Sequence, residues 1–96
     1  MSFFTYILRC SDGSFYNGHS DNLEQRVAQH QSGYFTGYTC KRRPVELVWS
    51  EYFSTRIEAL EAEKRIKGWT KAKKQALIDG DWELLSELAR NYGDRR

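Results

Sequence analysis

The sequence predicts an α+β domain in which a three-stranded sheet, mixed or antiparallel, is flanked by helices in the order β-β-α-β-α-α-α. Three observations predict it. Two segments rich in aromatic and β-branched residues are joined by Ser11-Asp12-Gly13, a hairpin signal. A third such segment, containing Val45-Glu46-Leu47-Val48-Trp49, stands alone further on. Around it, residues that cap helices alternate with glycines that end them, which sets out one helix before the third strand and three after it.

Taken in order, residues 3–10 form the first strand and residues 15–19 the second. Asp21, with Glu24 three residues on, reads as a capping box that opens a helix running to about Gly33. Residues 34–43 form a loop with a basic end. Pro44 leads into the third strand, residues 45–53. Thr55 and Glu58 make a second capping box, opening a helix to about Gly68. Thr70 caps a short helix ended by Gly80, and Asp81 caps the last, which ends near Gly93.

A chain of 96 residues makes one domain, residues 1–96, and its 40% hydrophobic content supports one modest core. No linker, repeat or low-complexity tract interrupts it. Apolar runs are too short for a membrane span, and Met1-Ser2-Phe3 does not begin a signal peptide. A cytoplasmic location and no membrane partner are the default expectations; the sequence leaves the oligomeric state open. Cys10 and Cys40 lack framework spacing and read as free thiols. With His19 and His30 they do not make zinc-ligand spacing either.

The net charge of +2 is small, but it is unevenly spread. Lys64, Arg65, Lys67, Lys71, Lys73 and Lys74 follow one another with no acidic residue between them, and Lys41, Arg42 and Arg43 form a second cluster. From Asp79 to Glu87 the sign reverses. Such asymmetry suits a side that faces phosphate, although a solvated helix face gives the same pattern.

Helical projection isolates particular side chains. In the first helix, Leu23 and Val27 must face the sheet, and Arg26 and His30 fall within the same arc, four residues apart. They sit at the edge of the buried seam, as a snorkelling arginine and a satisfied histidine or as functional groups. In the second helix, Glu63 falls between Ala59 and Leu60 on the apolar face, whereas Glu58, Glu61, Lys64 and Arg65 lie outside it. A carboxylate turned inward requires a partner: a salt bridge to Arg26, or a divalent cation.

The hairpin contributes Tyr6 and Tyr16. A two-residue loop at Asp12-Gly13 places them on opposite faces. A three-residue loop, with Gly13 in the left-handed region, places them on the same face and sets Gly18 opposite Tyr6, leaving room there for a phosphate. The residues alone do not choose between the two.

At these positions the chain resembles the GIY-YIG nuclease family. Thr5-Tyr6-Ile7 stands where the first motif belongs and Tyr16-Asn17-Gly18, ten residues later, where the second belongs. Arg26 follows Tyr16 by ten and His30 follows Arg26 by four, as in the family, and Glu63 matches the family's metal-binding glutamate. Residues 38–47 and 66–78 are similar to segments of the small single-domain bacterial members, so the likeness spans about residues 3–80. Thr5 replaces the first glycine and Asn17 the middle apolar residue; the asparagine that follows the glutamate in some members is absent, with Gln75 a stand-in.

The resemblance implies a metal-dependent endonuclease that hydrolyses phosphodiester bonds, with nucleic acid as partner and DNA favoured over RNA. It implies that Glu63 holds Mg²⁺ or Mn²⁺ and that Arg26 stabilises charge on the phosphorane-like transition state. It also implies that Tyr6, Tyr16 and His30 orient or deprotonate the attacking water. Gly18, His19, Lys41, Arg42, Arg43, Lys67 and Lys71 are then the expected nucleic-acid contacts. Two other readings share the fold: a nucleic-acid-binding module without turnover, and a structural domain acting through a protein partner.

Overall fold

The computed structural model describes residues 2–93, with side chains as far as residue 89. Met1 and residues 94–96, which the expected single domain includes, lie outside the described residues.

The central strand, β1 (Phe3–Arg9), is the one whose residues are buried on both faces: Thr5, Tyr6, Ile7 and Leu8 follow one another without a solvent-facing position. It can only run through the middle. β2 (Phe15–Ser20) pairs on one side and β3 (Glu46–Phe53) on the other, giving the order β2-β1-β3. Both pairings are antiparallel, which resolves the mixed-or-antiparallel alternative.

Pairing of Arg9 with Phe15 leaves a hairpin whose Ser11-Asp12-Gly13 loop is closed by the Cys10 N–H donating to the Ser14 carbonyl at 2.8 Å. Gly13 takes a φ of 84°, where a side chain would be strained. Asp12 Oδ1 accepts from the Ser14 N–H at 3.0 Å and fixes the loop. This is the three-residue register, and it puts Tyr6 opposite Gly18 and Leu8 opposite Tyr16.

Two small cores result, one on each face. Tyr6, Leu8, Cys10 and Val45, with Tyr16, Leu23 and Val27, pack under α1 (Leu23–Ser32). Ile7, Ile66 and Leu77, with Phe15, Val48, Trp49 and Trp69, pack under α2 (Arg56–Lys67) and α3 (Lys71–Asp79). The last helix, α4 (Trp82–Gly93), lies against α3. Among the described residues, no helix is long and apolar enough to cross a membrane.

Several boundaries differ from the sequence expectation: β1 ends at Arg9 and β2 at Ser20, each one residue from the place expected, and two further shifts have a clear cause. The cap of α1 is Asn22, not Asp21: Asn22 Oδ1 accepts from the Gln25 N–H at 3.1 Å. Ser20 Oγ accepts from the Asn22 N–H and carries the turn one residue further, which frees Asp21 to pair with Arg56 at 3.4 Å. β3 begins at Glu46 because the Gln31 side chain takes both the N–H and the carbonyl of Val45. A bulge then shifts the register between the Ile7–Trp49 and Leu8–Leu47 pairs. Within the loop, Cys40–Arg42 forms a single 3-10 turn. The caps at Thr55, Thr70 and Asp81 form as expected.

Candidate functional site

Tyr6 and Tyr16 lie on the face of the sheet covered by α1. Gly18 is opposite Tyr6, but the room expected there for a phosphate is filled by Tyr6 itself: a Cβ at Gly18 would meet the Tyr6 hydroxyl at 2.5 Å. Tyr6 is 1% exposed, and its hydroxyl is hydrogen-bonded to His30 Nε2 at 3.0 Å. His30, in the last turn of α1, places its Nδ1 2.9 Å from Thr39 Oγ1. A buried chain Tyr6–His30–Thr39 thus ties the sheet to the loop after α1. The Tyr16 ring lies 5.0 Å from that of His30, with Phe35 at 4.6 Å on His30 and Tyr38 stacked on Tyr16.

Electrostatics keep this chain neutral. Burial, then the neighbouring Tyr16, pushes the Tyr6 phenol well above its ordinary range. Burial, and secondarily the Arg26 cation, holds His30 below the usual imidazole value. A neutral imidazole donates from one nitrogen and accepts at the other, so one proton runs in a fixed sense along the chain.

Glu63 is on the other face. α2 is docked there by the Thr5 hydroxyl, which donates to the Ala59 carbonyl at 2.5 Å, and the same face carries Asn17 and His19. Glu63 Oε1 is 2.5 Å from His19 Nδ1, and Oε2 is 2.7 Å from Lys67 Nζ. The inward carboxylate therefore has partners, but not Arg26. The Arg26 guanidinium lies 5.4 Å over the Phe35 ring and reaches the His19 carbonyl at 3.5 Å. Burial opposes ionisation of Glu63, yet hydrogen bonds from Lys67 and His19 outweigh it and keep the carboxyl below its usual range. Asn17 is buried beside His19, and its Nδ2 has no hydrogen-bond partner among the described residues.

The five residues singled out by spacing are thus split. Tyr6, Tyr16, Arg26 and His30 gather on the α1 face, and Glu63 on the α2 face. They meet around the outer edge of β2, where Arg26 touches the backbone of His19. A cavity of about 320 Å³ opens on the first group, lined by Tyr16, Arg26, His30, Phe35, Thr36, Gly37, Tyr38 and Thr39. A larger groove of about 560 Å³, between Phe4, Leu47 and the start of α1, contains none of the site residues.

Of the basic residues, Lys67 holds Glu63 and Lys71 lies 5.7 Å from the Phe15 ring at the hairpin. Lys41 is exposed. Arg42 stacks on Tyr38 at 3.9 Å and pairs with Asp12, while Arg43 donates to the Cys40 and Gln31 carbonyls. Both arginines brace the loop. Sequence reasoning overlooked Phe35, Tyr38 and Thr39, which sit in a loop with no periodicity to flag them. Lys74, one of the basic cluster, is partly buried, and its ammonium is held below its usual range by burial and then by Lys67.

The donor set decides which metal could be held. No group of three or more His, Cys, Asp or Glu gathers among the described residues, so Glu63 offers one carboxylate. A carboxylate completed by water and phosphate oxygens is a donor set that suits a hard divalent cation such as Mg²⁺ or Mn²⁺. An arginine, two phenols and an imidazole around a cavity, with an anionic carboxylate beside them, form a set suited to phosphate-ester chemistry.

Comparison with known proteins agrees. The model of the GIY-YIG catalytic domain matches residues 2–76. A UPF0213 protein of Staphylococcus aureus is 47% identical over 77 residues, spanning 80% of this chain and 94% of that protein. A UPF0213 protein of Bacillus pumilus is 46% identical over 74 residues, 77% of this chain and 76% of the other. The solution NMR structure of the protein EF2693 from E. faecalis aligns with a TM-score of 0.57 and 42% identity, covering 85% of this chain and 88% of that one. That of the UPF0213 protein BH0048 from Bacillus halodurans aligns at 0.54 and 35%, covering 82% and 84%. The chain belongs to the GIY-YIG nuclease family, and its relatives are the small bacterial UPF0213 proteins.

Proposed function

We propose that the protein is a divalent-metal-dependent endonuclease that hydrolyses phosphodiester bonds in DNA. The observation that carries this reading is the arrangement along β2: a cavity lined by Tyr16 and Arg26, a buried Tyr6–His30–Thr39 chain beneath it, and the anionic Glu63 around the strand edge. Arg26 stabilises the charge that builds on the phosphoryl oxygens during attack. Tyr16 faces the cavity and orients the attacking water or takes its proton, with the Arg26 cation lining the same cavity. Tyr6 and His30, both buried, position Tyr16 and the loop above it. Glu63 would hold Mg²⁺ or Mn²⁺, which would supply positive charge to offset the negative charge that develops during phosphodiester hydrolysis. Lys41, Lys67 and Lys71, with His19 close by, guide the phosphate backbone.

The clamp of His19 and Lys67 on Glu63 supports a second reading, a nucleic-acid-binding module without turnover. One assay separates them. Labelled single-stranded, duplex and branched DNA and RNA are incubated with Mg²⁺, Mn²⁺ or chelator, beside Glu63→Gln and Tyr16→Phe. Cleavage of DNA that needs metal and both side chains is expected. Binding without cleavage of any substrate would establish the second reading, and preferential cleavage of RNA would overturn the choice of DNA.

A further inference from the structure

Both oxygens of Glu63 are occupied, by groups of different mobility. His19 is a strand residue on the same face, and its Nδ1 meets Oε1. Lys67 stands one turn beyond Glu63 on α2 and closes Oε2 with its ammonium. The Glu63 side chain is 10% exposed and Lys67 is 53% exposed. The carboxylate is therefore fixed, while the lysine can leave by rotating about its stem without disturbing the packing. Lys74 crowds the same end of α2 and already feels Lys67 as a like charge. A divalent ion brought to Oε2 would meet, as a like charge, the Lys67 ammonium that lies 2.7 Å from that oxygen.

We propose that Lys67 is the resident cation of Glu63: it occupies the carboxylate in the free protein and gives it up when a nucleic-acid phosphate draws the ammonium away. The inference rests on the reading of Glu63 as a metal ligand. It makes Lys67 a positioning residue that couples two ligands. Phosphate binding vacates Oε2, so the metal binds more tightly to the complex than to the free protein; by linkage, metal strengthens phosphate binding equally. The free protein then gathers little metal at Glu63, and the loaded site forms only on substrate.

The test measures Mn²⁺ binding, not cleavage. Mn²⁺ is titrated by electron paramagnetic resonance into the parent, Lys67→Met, Lys67→Gln, Lys67→Arg and Glu63→Gln. Each titration is done with and without a phosphorothioate thymidylate nonamer that resists hydrolysis. In the absence of oligonucleotide, both neutral variants should bind Mn²⁺ more tightly than the parent, by up to about fivefold, the loss of one partly exposed ion pair. The oligonucleotide supplies a phosphate ligand in every case, so it should tighten Mn²⁺ binding to all of them, but more to the parent and to Lys67→Arg than to the neutral variants. Agreement of Met with Gln guards against a folding defect in either. If the parent binds Mn²⁺ through Glu63 and the neutral variants bind it equally, the proposal fails while Glu63 remains a ligand. If no variant binds Mn²⁺ in a Glu63-dependent way, even with oligonucleotide, both fall.

Discussion

Replacing Gly18 by alanine sets a methyl carbon 2.5 Å from the Tyr6 hydroxyl and 2.6 Å from Tyr6 Cζ, well inside contact distance. Gly18 is not among the glycines with positive φ, so alanine suits the backbone and the whole cost is steric. The ring has nowhere to go, because Tyr6 is 1% exposed and its hydroxyl is held by His30. Overpacking at a site of this kind costs about 1–3 kcal/mol. Displacing the ring also breaks the bond to His30 Nε2, worth about 1 kcal/mol. Gly18→Ala should therefore destabilise the fold by about 2–4 kcal/mol and lower Tm on the order of 10–20 °C. Urea unfolding of four proteins checks this: parent, Gly18→Ala, Tyr6→Leu and the double variant. In the Tyr6→Leu background the added methyl should cost less than about 0.5 kcal/mol, since the ring it collides with is gone. A Gly18→Ala protein within about 0.5 kcal/mol of the parent would refute the argument and restore open space beside Tyr6.

Three further outcomes are expected. His30 has a folded pKa below its unfolded value, so its contribution is present above the unfolded pKa of about 6.5 and is lost as pH falls from there toward the folded value; urea midpoints at pH 7 and pH 5 should differ more in the parent than in His30→Gln, and equal differences would show the imidazole to be freely solvated. Glu63→Gln in chelator should lose about 1–2 kcal/mol through the weakened contacts to Lys67 and His19, while Mn²⁺ added to the oligonucleotide complex should raise the parent's Tm and leave the variant's unchanged; a shift of equal size in both would place the ion elsewhere. Arg42→Ala should lower stability by about 0.5–1 kcal/mol as the Tyr38 stack is lost, whereas Lys41→Ala should leave stability alone and flatten the salt dependence of oligonucleotide binding; the reverse assignment would mean that Arg42 faces the phosphates.

Element types were legible because the signals were local. Thr55, Thr70 and Asp81 each bond an amide three residues on; Ser54, the other capping residue beside Thr55, donates its hydroxyl to the Glu58 carboxylate instead. At Asp21-Asn22 two good caps are adjacent, and the choice is made by Ser20 Oγ, a contact that no periodicity encodes. The inward turn of Glu63 followed from helix geometry. Its partners did not: Lys67 was visible at the next turn of the same helix, but His19 depends on sheet register. Register itself stayed open in the sequence, because both hairpin loops were chemically sound. It was settled by tertiary packing, the Tyr6 ring lying over the one residue of β2 with no side chain to resist it.

That hairpin has a consequence for how the chain can drift. Surface loops ordinarily gain and lose residues freely. Here Tyr16 and His19 serve opposite faces of one edge strand, and the count of residues in the turn decides which faces which. Deleting one residue from the turn would let the sheet re-form, with Tyr16 turned toward α2 and His19 toward α1. The length of an exposed turn is thereby as constrained as a buried side chain, and a lineage that altered it would have to rebuild the site from other residues.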